Sequence, residues 1–414
     1  MTRFSLQLTA PPLSARVSRA TVASTLARLV ASGVADSKAE LGRVTGLSRT
    51  TVDSGVRTLL DMGALKVSGY ATVAGRGRPA DVLELDPLFG LVLVADCGAS
   101  HASLAVCDLG QNLIVSRDVE IRMSDGPEAT LDALAGCFTE MLSDLGLGHR
   151  SRTVVVGLPG PVDHRAGTVV RPPIMPGWDG YPIVDRLAGM LGGPVELEND
   201  VNLRALGDAR AQPPERGPVL FVKVGTGIGA GIVTVDGSLL RGADGAAGDI
   251  GHVRVAGSDA PCSCGSIGCL EAAASVQAIG RSLGMAGAEA EVSRAVARLV
   301  ALHDPQAVAL VRRSAELVGE ELVSLIHLLN PERVVVGGLL SDVSDDLLAG
   351  IRSMIYRRAL PLATRNLTVV KPVLGMRSGI AGGVAIGIES SLRPATLAGR
   401  LLRQEGLTRS GGIG

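Results

Sequence analysis

The chain has 414 residues with 40 Lys+Arg against 41 Asp+Glu, a formal net charge of −1. That length exceeds one ordinary hydrophobic core and implies two or three domains. No apolar run approaches the roughly 20 residues of a membrane span and the N-terminus lacks the long apolar core of a secretory signal, so membrane and secreted classes are excluded and a cytoplasmic location is expected.

The charge is unevenly spread. Residues 1–85 carry 11 Lys+Arg against 6 Asp+Glu, and the remainder carries 29 against 35. A basic N-terminal segment on a mildly acidic body suggests a nucleic-acid module joined to a globular unit.

Residues 1–17 show no readable pattern and are expected to be a loose tail. From Ser18 the text turns helical, with Val22, Leu26, Leu29 and Val30 on one face. Ser37 and Glu40 form a capping box that opens a second helix, which Gly46 ends. A third helix begins at Ser48, with Val52, Val56, Leu59 and Leu60 facing inward. Thr50, Ser54 and Arg57 fall on its outer face, and Ser48, Arg49 and Thr51 lie at its start. Two short helices joined by a three-residue turn, the second polar outside, fit a helix-turn-helix that reads double-stranded DNA. Two β-type runs, 65–73 and 81–87, then read as a wing whose tip carries Arg76 and Arg78. An extended Arg-Gly-Arg is slim enough for a minor groove; the alternative is a charged turn tip. Residues 18–86 are thus expected as a winged helix-turn-helix domain.

From about Pro87 apolar strands alternate with helical stretches, which favours an α/β architecture over 87–391. Strands are predicted over 89–98, 102–110 and 112–121, a helix over 127–145, and a buried strand over 152–160. Cys97, Cys107 and Cys137 lie singly in apolar stretches, as core thiols do.

Four motifs follow in order. Asp96, Gly98 and Ser100 close a strand, where an Asp can order Mg²⁺ through water and the turn can donate to phosphate. ENDVN (198–202) follows a strand and carries Asn199 and Asp200; Asp200 is placed to act as a base on a sugar hydroxyl. GTGIGAG (225–231), with Gly225, Thr226, Gly227 and Gly229, lets backbone N–H groups approach a phosphate. A buried strand closes on Gly337 and Gly338. Any one of these loops alone reads equally well as a tight turn; their succession points to ATP and Mg²⁺.

The sharpest signal is His252 followed by Cys262, Cys264 and Cys269. One imidazole and three thiolates complete a closed, tetrahedral, structural zinc site, with Gly265 and Gly268 letting the loop curl. Disulfides or core cysteines are the alternative. Asp249 and Glu271 flank the cluster, where zinc would hold both on a fixed scaffold to receive sugar hydroxyls.

These residues resemble the ROK family of sugar-responsive repressors and sugar kinases. Its zinc signature C-x-C-G-x-x-G-C-x-E matches residues 262–271, and GLPGPVD (157–163), PGWDGYPI (176–183), ENDVN and GTGIGAGI (225–232) are similar to it as well. The likeness spans about 18–390, on the winged-helix branch that resembles xylose- and N-acetylglucosamine-responsive repressors. It implies an actin/hexokinase-like (ribonuclease H-like) two-lobed ATPase fold, a sugar or sugar-phosphate effector and a homodimer or tetramer. By resemblance Asn199, Asp200, Asp249, His252 and Glu271 bind the sugar. Two positions depart from it. The kinase motif D-x-G-G-T-K is here Asp96-Cys-Gly-Ala99-Ser100-His101, where the Ala99 methyl crowds a phosphate and His101 replaces a lysine. The family's G-E-I-G-H has Asp249 in place of Glu.

The expected function is a sugar-responsive transcriptional regulator, a repressor. The alternative is an ATP-dependent sugar kinase with Asp200 as base. Residues 392–414 are expected to be a second loose tail.

Overall fold

Phe4, Leu6 and Leu8 alternate apolar with polar neighbours, and the computed structural model, which describes residues 2–10, 18–71, 80–213 and 216–410, builds this segment into the molecule. Strand β1 (Thr2–Arg3) pairs antiparallel with Asn112 and Leu113. Phe4, Leu6 and Leu8 are buried beyond it. The expected N-terminal tail is therefore corrected over residues 2–10: a period-2 apolar triplet gains too much from burial to stay in water. Residues 11–17, and Arg76 and Arg78 of the wing tip, lie outside the described residues.

Helices α1 (Arg19–Ala31), α2 (Lys38–Thr45) and α3 (Arg49–Asp61) follow, each opened by a serine whose hydroxyl accepts a backbone N–H. Ser37 caps Glu40 N, and Gly46 ends α2 at φ +68°. Strands β2 (Leu65–Ala71) and β3 (Ala80–Leu85) form the antiparallel wing. One expectation for α1 changes. Its Val22–Leu26–Leu29–Val30 face is buried, yet so are Ser24, Thr25 and Arg28 on the other side. Ser24 Oγ donates to Leu392 O at 2.5 Å, and Arg28 donates to Thr9 O and Glu389 O. The helix is wedged between its own domain and the body.

In the first lobe, β4 (Leu91–Cys97), β5 (Ala102–Asp108) and β6 (Asn112–Val119) form an antiparallel meander. Helix α4 (Pro127–Asp144) leads to β7 (Arg152–Leu158), parallel to β4. A small hairpin, β8 (Val162–Asp163) and β9 (Thr168–Val169), and helix α5 (Ile183–Leu191) precede β10 (Val195–Asn199), parallel to β7. The sheet order is β1-β6-β5-β4-β7-β10. Helix α6 (Asp200–Arg210) then crosses to the second lobe.

There β11 (Val219–Val224) and β12 (Ile228–Val233) form a hairpin. Helices α7 (Leu270–Ala274), α8 (Val276–Ser282), α9 (Glu289–Ala301) and α10 (Pro305–Leu329) separate it from β13 (Arg333–Gly337), parallel to β11. Helices α11 (Leu339–Val343), α12 (Asp346–Arg358) and α13 (Pro361–Thr364) lead to β14 (Thr368–Val370), which completes the order β12-β11-β13-β14.

Helix α14 (Ser378–Ser391) returns to the first sheet and packs on α6. Gly207 of α6 faces Ser378 O and the Gly382 N–H, so the two backbones touch. Helix α15 (Pro394–Ser410) lies against α1. Its Leu397 is fully buried, and Arg400 donates to Phe89 O and stacks 4.1 Å over that ring. The expected C-terminal tail is thus a docked helix, held by apolar burial and a cation–π contact; residues 411–414 lie outside the described residues. One continuous apolar cluster joins Leu26, Leu59 and Leu83 of the winged helix to Leu203, Ile388 and Leu397 of the body.

Candidate functional site

A cleft of about 520 Å³ opens between the lobes. Asn199, Asp200, Asp249, His252 and Glu271 all line it, as do Gly98, Ser100, Gly225, Thr226, Gly227, Gly229 and Gly338. Asp96 and Gly337 are not among its lining residues. The sheet topology explains the convergence, because β4, β10, β11 and β13 all end at this gap.

Asn199 and Asp200 sit where β10 turns into α6. Asn199 is the N-cap: its Oδ1 accepts from Val201 N and Asn202 N, and its Nδ2 donates to Gly160 O. The turn is braced by Glu198, which is 1% exposed and bonds Asn202 Nδ2, Arg241 and His164. Burial alone would raise the Glu198 pKa, but the His164 bond, the Arg241 charge and the Asn202 bond hold it below the ordinary glutamate value.

The glycines of GTGIGAG serve contacts that spacing did not reveal. A Cβ at Gly227 would meet Glu271 Oε2 at 2.5 Å, and one at Gly231 would meet Ala205 Cβ at 2.6 Å. The first glycine admits the Glu271 carboxylate, which accepts from Ile228 N at 3.1 Å. The second lets β12 sit on α6. Ala99, whose methyl is expected to crowd a phosphate, is not among the positive-φ residues, so it imposes no backbone strain on the first turn. His101 has its pKa lowered by burial and by the nearby charges of Lys223 and Arg204, which favours the neutral ring.

Asp96 departs most from its expected role. It is 1% exposed, and its Oδ2 lies 2.8 Å from Arg204 Nη2. Burial pushes its pKa up against the opposing Arg204 charge. Asp200 Oδ2 lies 2.5 Å from Lys223 Nζ. Neither cation was singled out from the sequence, although a lysine inside the apolar strand VLFVKV and an arginine one turn after Asp200 were both visible. Asp96, the acid expected to order Mg²⁺, faces Arg204, and Asp200, the expected base, faces Lys223. A nucleotide-bound Mg²⁺ would meet a cation of the chain at either acid, so the residues do not fit it.

The His252, Cys262, Cys264 and Cys269 ligand atoms all lie within 4.8 Å of one another. His252 Nδ1 is 3.6 Å from Cys262 Sγ, and Cys264 Sγ is 3.8 Å from Cys269 Sγ. Gly265 and Gly268 stand at φ +89° and +78°, the curl that lets the sulfurs converge. This donor set fits a four-coordinate zinc ion. His252 Nε2 points the other way, 3.9 Å from Asp249 Oδ1, which places one imidazole between the cysteine cluster and the cleft.

In the winged helix, Ser48, Arg49, Thr50, Ser54 and Arg57 are exposed and Thr51 is half-buried. Ser48 and Thr51 are also bound to each other as the cap of α3. Arg49 lies 4.0 Å from Asp53. Among the described residues no helix is long and apolar enough to cross a membrane.

The ROK family profile matches residues 92–389. A xylose repressor of Caldicellulosiruptor bescii is 25% identical over 378 residues, covering 86% of this chain and 92% of its own. A glucokinase of Thermotoga maritima is 32% identical over 289 residues, covering 66% of this chain and 88% of its own. Among solved structures, a ROK family transcriptional regulator described as a homologue of the E. coli Mlc protein aligns with a TM-score of 0.76. It is 23% identical and covers 93% of this chain and 99% of its own, which shows the fold over head and body alike. With its two-lobed cleft, cysteine-rich loop and winged helix, this chain belongs to the ROK family.

Proposed function

We propose that the protein is a sugar-responsive transcriptional regulator, a repressor that binds operator DNA through its winged helix and senses a sugar in the interlobe cleft. The observation that carries this reading is the apolar cluster shared by head and body. A DNA-binding module fused to the back of a ligand cleft has the means to feel its closure. The sugar hydroxyls are assigned to Asn199, Asp200, Asp249, His252 and Glu271. A structural zinc ion is assigned to His252, Cys262, Cys264 and Cys269. DNA is assigned to the exposed face of α3, with Arg76 and Arg78 at the wing. A homodimer would present two heads to a palindrome with half-sites a whole number of turns apart.

Fluorescence anisotropy on the protein's own promoter region tests the reading. Binding should weaken steeply with salt and shift on addition of one sugar from a panel of hexoses, pentoses and amino sugars. Binding insensitive to every sugar and to salt would overturn it. The kinase reading keeps one observation in its favour, since Asp200 and Gly225–Gly229 line a single cleft. Release of ADP that Asp200→Asn abolishes would establish it.

A further inference from the structure

Two carboxylates face cations of their own chain, Asp200 in the lining of the cleft and Asp96 buried outside that lining. Asp96 Oδ2 lies 2.8 Å from Arg204 Nη2, and Asp200 Oδ2 lies 2.5 Å from Lys223 Nζ. All four groups are withdrawn from solvent: the side chains of Asp96, Asp200 and Arg204 are under a tenth exposed, and that of Lys223 is 19% exposed. Arg204 follows Asp200 by one helical turn on α6, so both pairs hang from the same helix and reach to β4 and β11. Arg204 and Lys223 both line the cleft.

A divalent cation brought to either acid would meet a positive charge already within hydrogen-bond distance of the carboxylate. Like charges that close repel strongly in a partly desolvated site. The Lys223 ammonium already supplies Asp200 with a counter-charge and, by its hydrogen bond, a fixed orientation. At Asp96 the Arg204 guanidinium supplies the counter-charge alone, since neither Asp96 oxygen has a hydrogen-bond partner among the described residues. Lys223 engages Oδ2 of Asp200; its Oδ1 forms no bond among the described residues, and that oxygen is left for a ligand hydroxyl.

We propose that Arg204 and Lys223 stand in for the divalent cation, so that the cleft takes a free polyol sugar with neither Mg²⁺ nor nucleotide. Lys223 is a positioning residue that holds Asp200 as the acceptor of a sugar hydroxyl. This rests on the reading of the cleft as a sugar site.

The test is calorimetric titration of the full-length, zinc-loaded protein with D-glucose, D-xylose and N-acetylglucosamine. Each titration is run in Mg²⁺-free buffer and again with Mg²⁺ and AMP-PNP; a chelator is avoided because it would strip zinc. The affinity for the sugar that binds should agree within about twofold between the two conditions, and Mg²⁺·AMP-PNP alone should give no heat and no thermal shift. A gain of tenfold or more with Mg²⁺·AMP-PNP, or binding of Mg²⁺·AMP-PNP alone, would overturn the proposal.

Lys223→Met should weaken sugar binding by roughly tenfold, and added Mg²⁺ should restore part of the loss, a rescue that a merely structural lysine would not show. Loss without rescue, or no loss, counts against the positioning role. Arg204→Met should acquire Mg²⁺-dependent thermal stabilisation; should it fail to fold, the wild-type titrations decide. If no sugar binds under any condition, the sugar reading itself fails. The Mg²⁺·AMP-PNP arm still decides whether the built-in cations exclude the metal nucleotide.

Discussion

Arg210 and Gln7 are joined by two hydrogen bonds in opposite directions: Gln7 N donates to Arg210 O at 2.9 Å, and Arg210 Nη1 donates to Gln7 O at 2.6 Å. Arg210 is the last residue of α6, whose first is Asp200 in the cleft. One 11-residue helix, about 16 Å long, therefore runs from the ligand site to the N-terminal arm. Thr9 of that arm bonds Glu389 through its N–H and hydroxyl, and Arg28 of α1 donates to Thr9 O. Arg210→Met should leave the sugar Kd and the unliganded DNA affinity near wild type. It should reduce the sugar-induced change in DNA affinity by about fivefold or more, within the usual range of coupling energies. Anisotropy titrations with and without sugar measure both.

Zinc should hold the sugar wall in place. Cys264→Ser should lose the metal, as read by a zinc-release dye assay, and lower the Tm by roughly 5–10 °C. Sugar binding should fall with it, because Glu271 lies in the first turn of α7, two residues past Cys269, and His252 sits in both sites.

Glu198 sets an acid limit on stability. Its folded pKa lies below the unfolded glutamate value, so its contribution is present above about pH 4.5 and is lost as pH falls through the folded pKa. Glu198→Gln should lower the urea midpoint at pH 7 and flatten the fall in that midpoint on acidification below about pH 4.5. An unchanged pH slope would show that other carboxylates govern acid unfolding.

Gly207→Ala should be among the costlier single-methyl changes in this chain. The added Cβ would collide with Ser378 O and the Gly382 N–H, both backbone groups of α14. Overpacking of this kind costs about 1–3 kcal/mol or more, and chemical denaturation measures it. Gly189, whose Cβ would meet nothing within 4 Å, is the control.

On the winged helix, Arg57 is exposed on the outer face of α3. Arg57→Ala should weaken operator binding without touching sugar affinity. If the guanidinium meets a phosphate, the log–log salt slope should fall by about 1.

Local rules carried much of this fold. The serine caps, the alternating strands and the cysteine spacing each reflect interactions within a few residues, so Ser37, Ser48 and the 252–269 loop lie where the sequence places them. What escaped was long-range. The arm strand needs a partner more than a hundred residues away, which the alternation of Phe4, Leu6 and Leu8 does not by itself identify. The full burial of α1 depends on Glu389 and Leu392. Asp96 was read for metal because its partner Arg204 lies 108 positions further on, and neither sequence spacing nor motif links the two. The glycines after β11 were legible as a loop requirement, but whether they make room for phosphate, for Glu271 or for α6 is a matter of tertiary contact.

The pairing of Asp96 and Asp200 with cations of the chain itself has a consequence for the cell. A soluble counter-ion comes and goes with its concentration, whereas Arg204 and Lys223 are present at one copy per cleft in every molecule. If the cleft takes its sugar without nucleotide, as proposed, such a sensor would report carbohydrate supply without also reporting energy charge: starvation that drains ATP would leave its gauge unaltered.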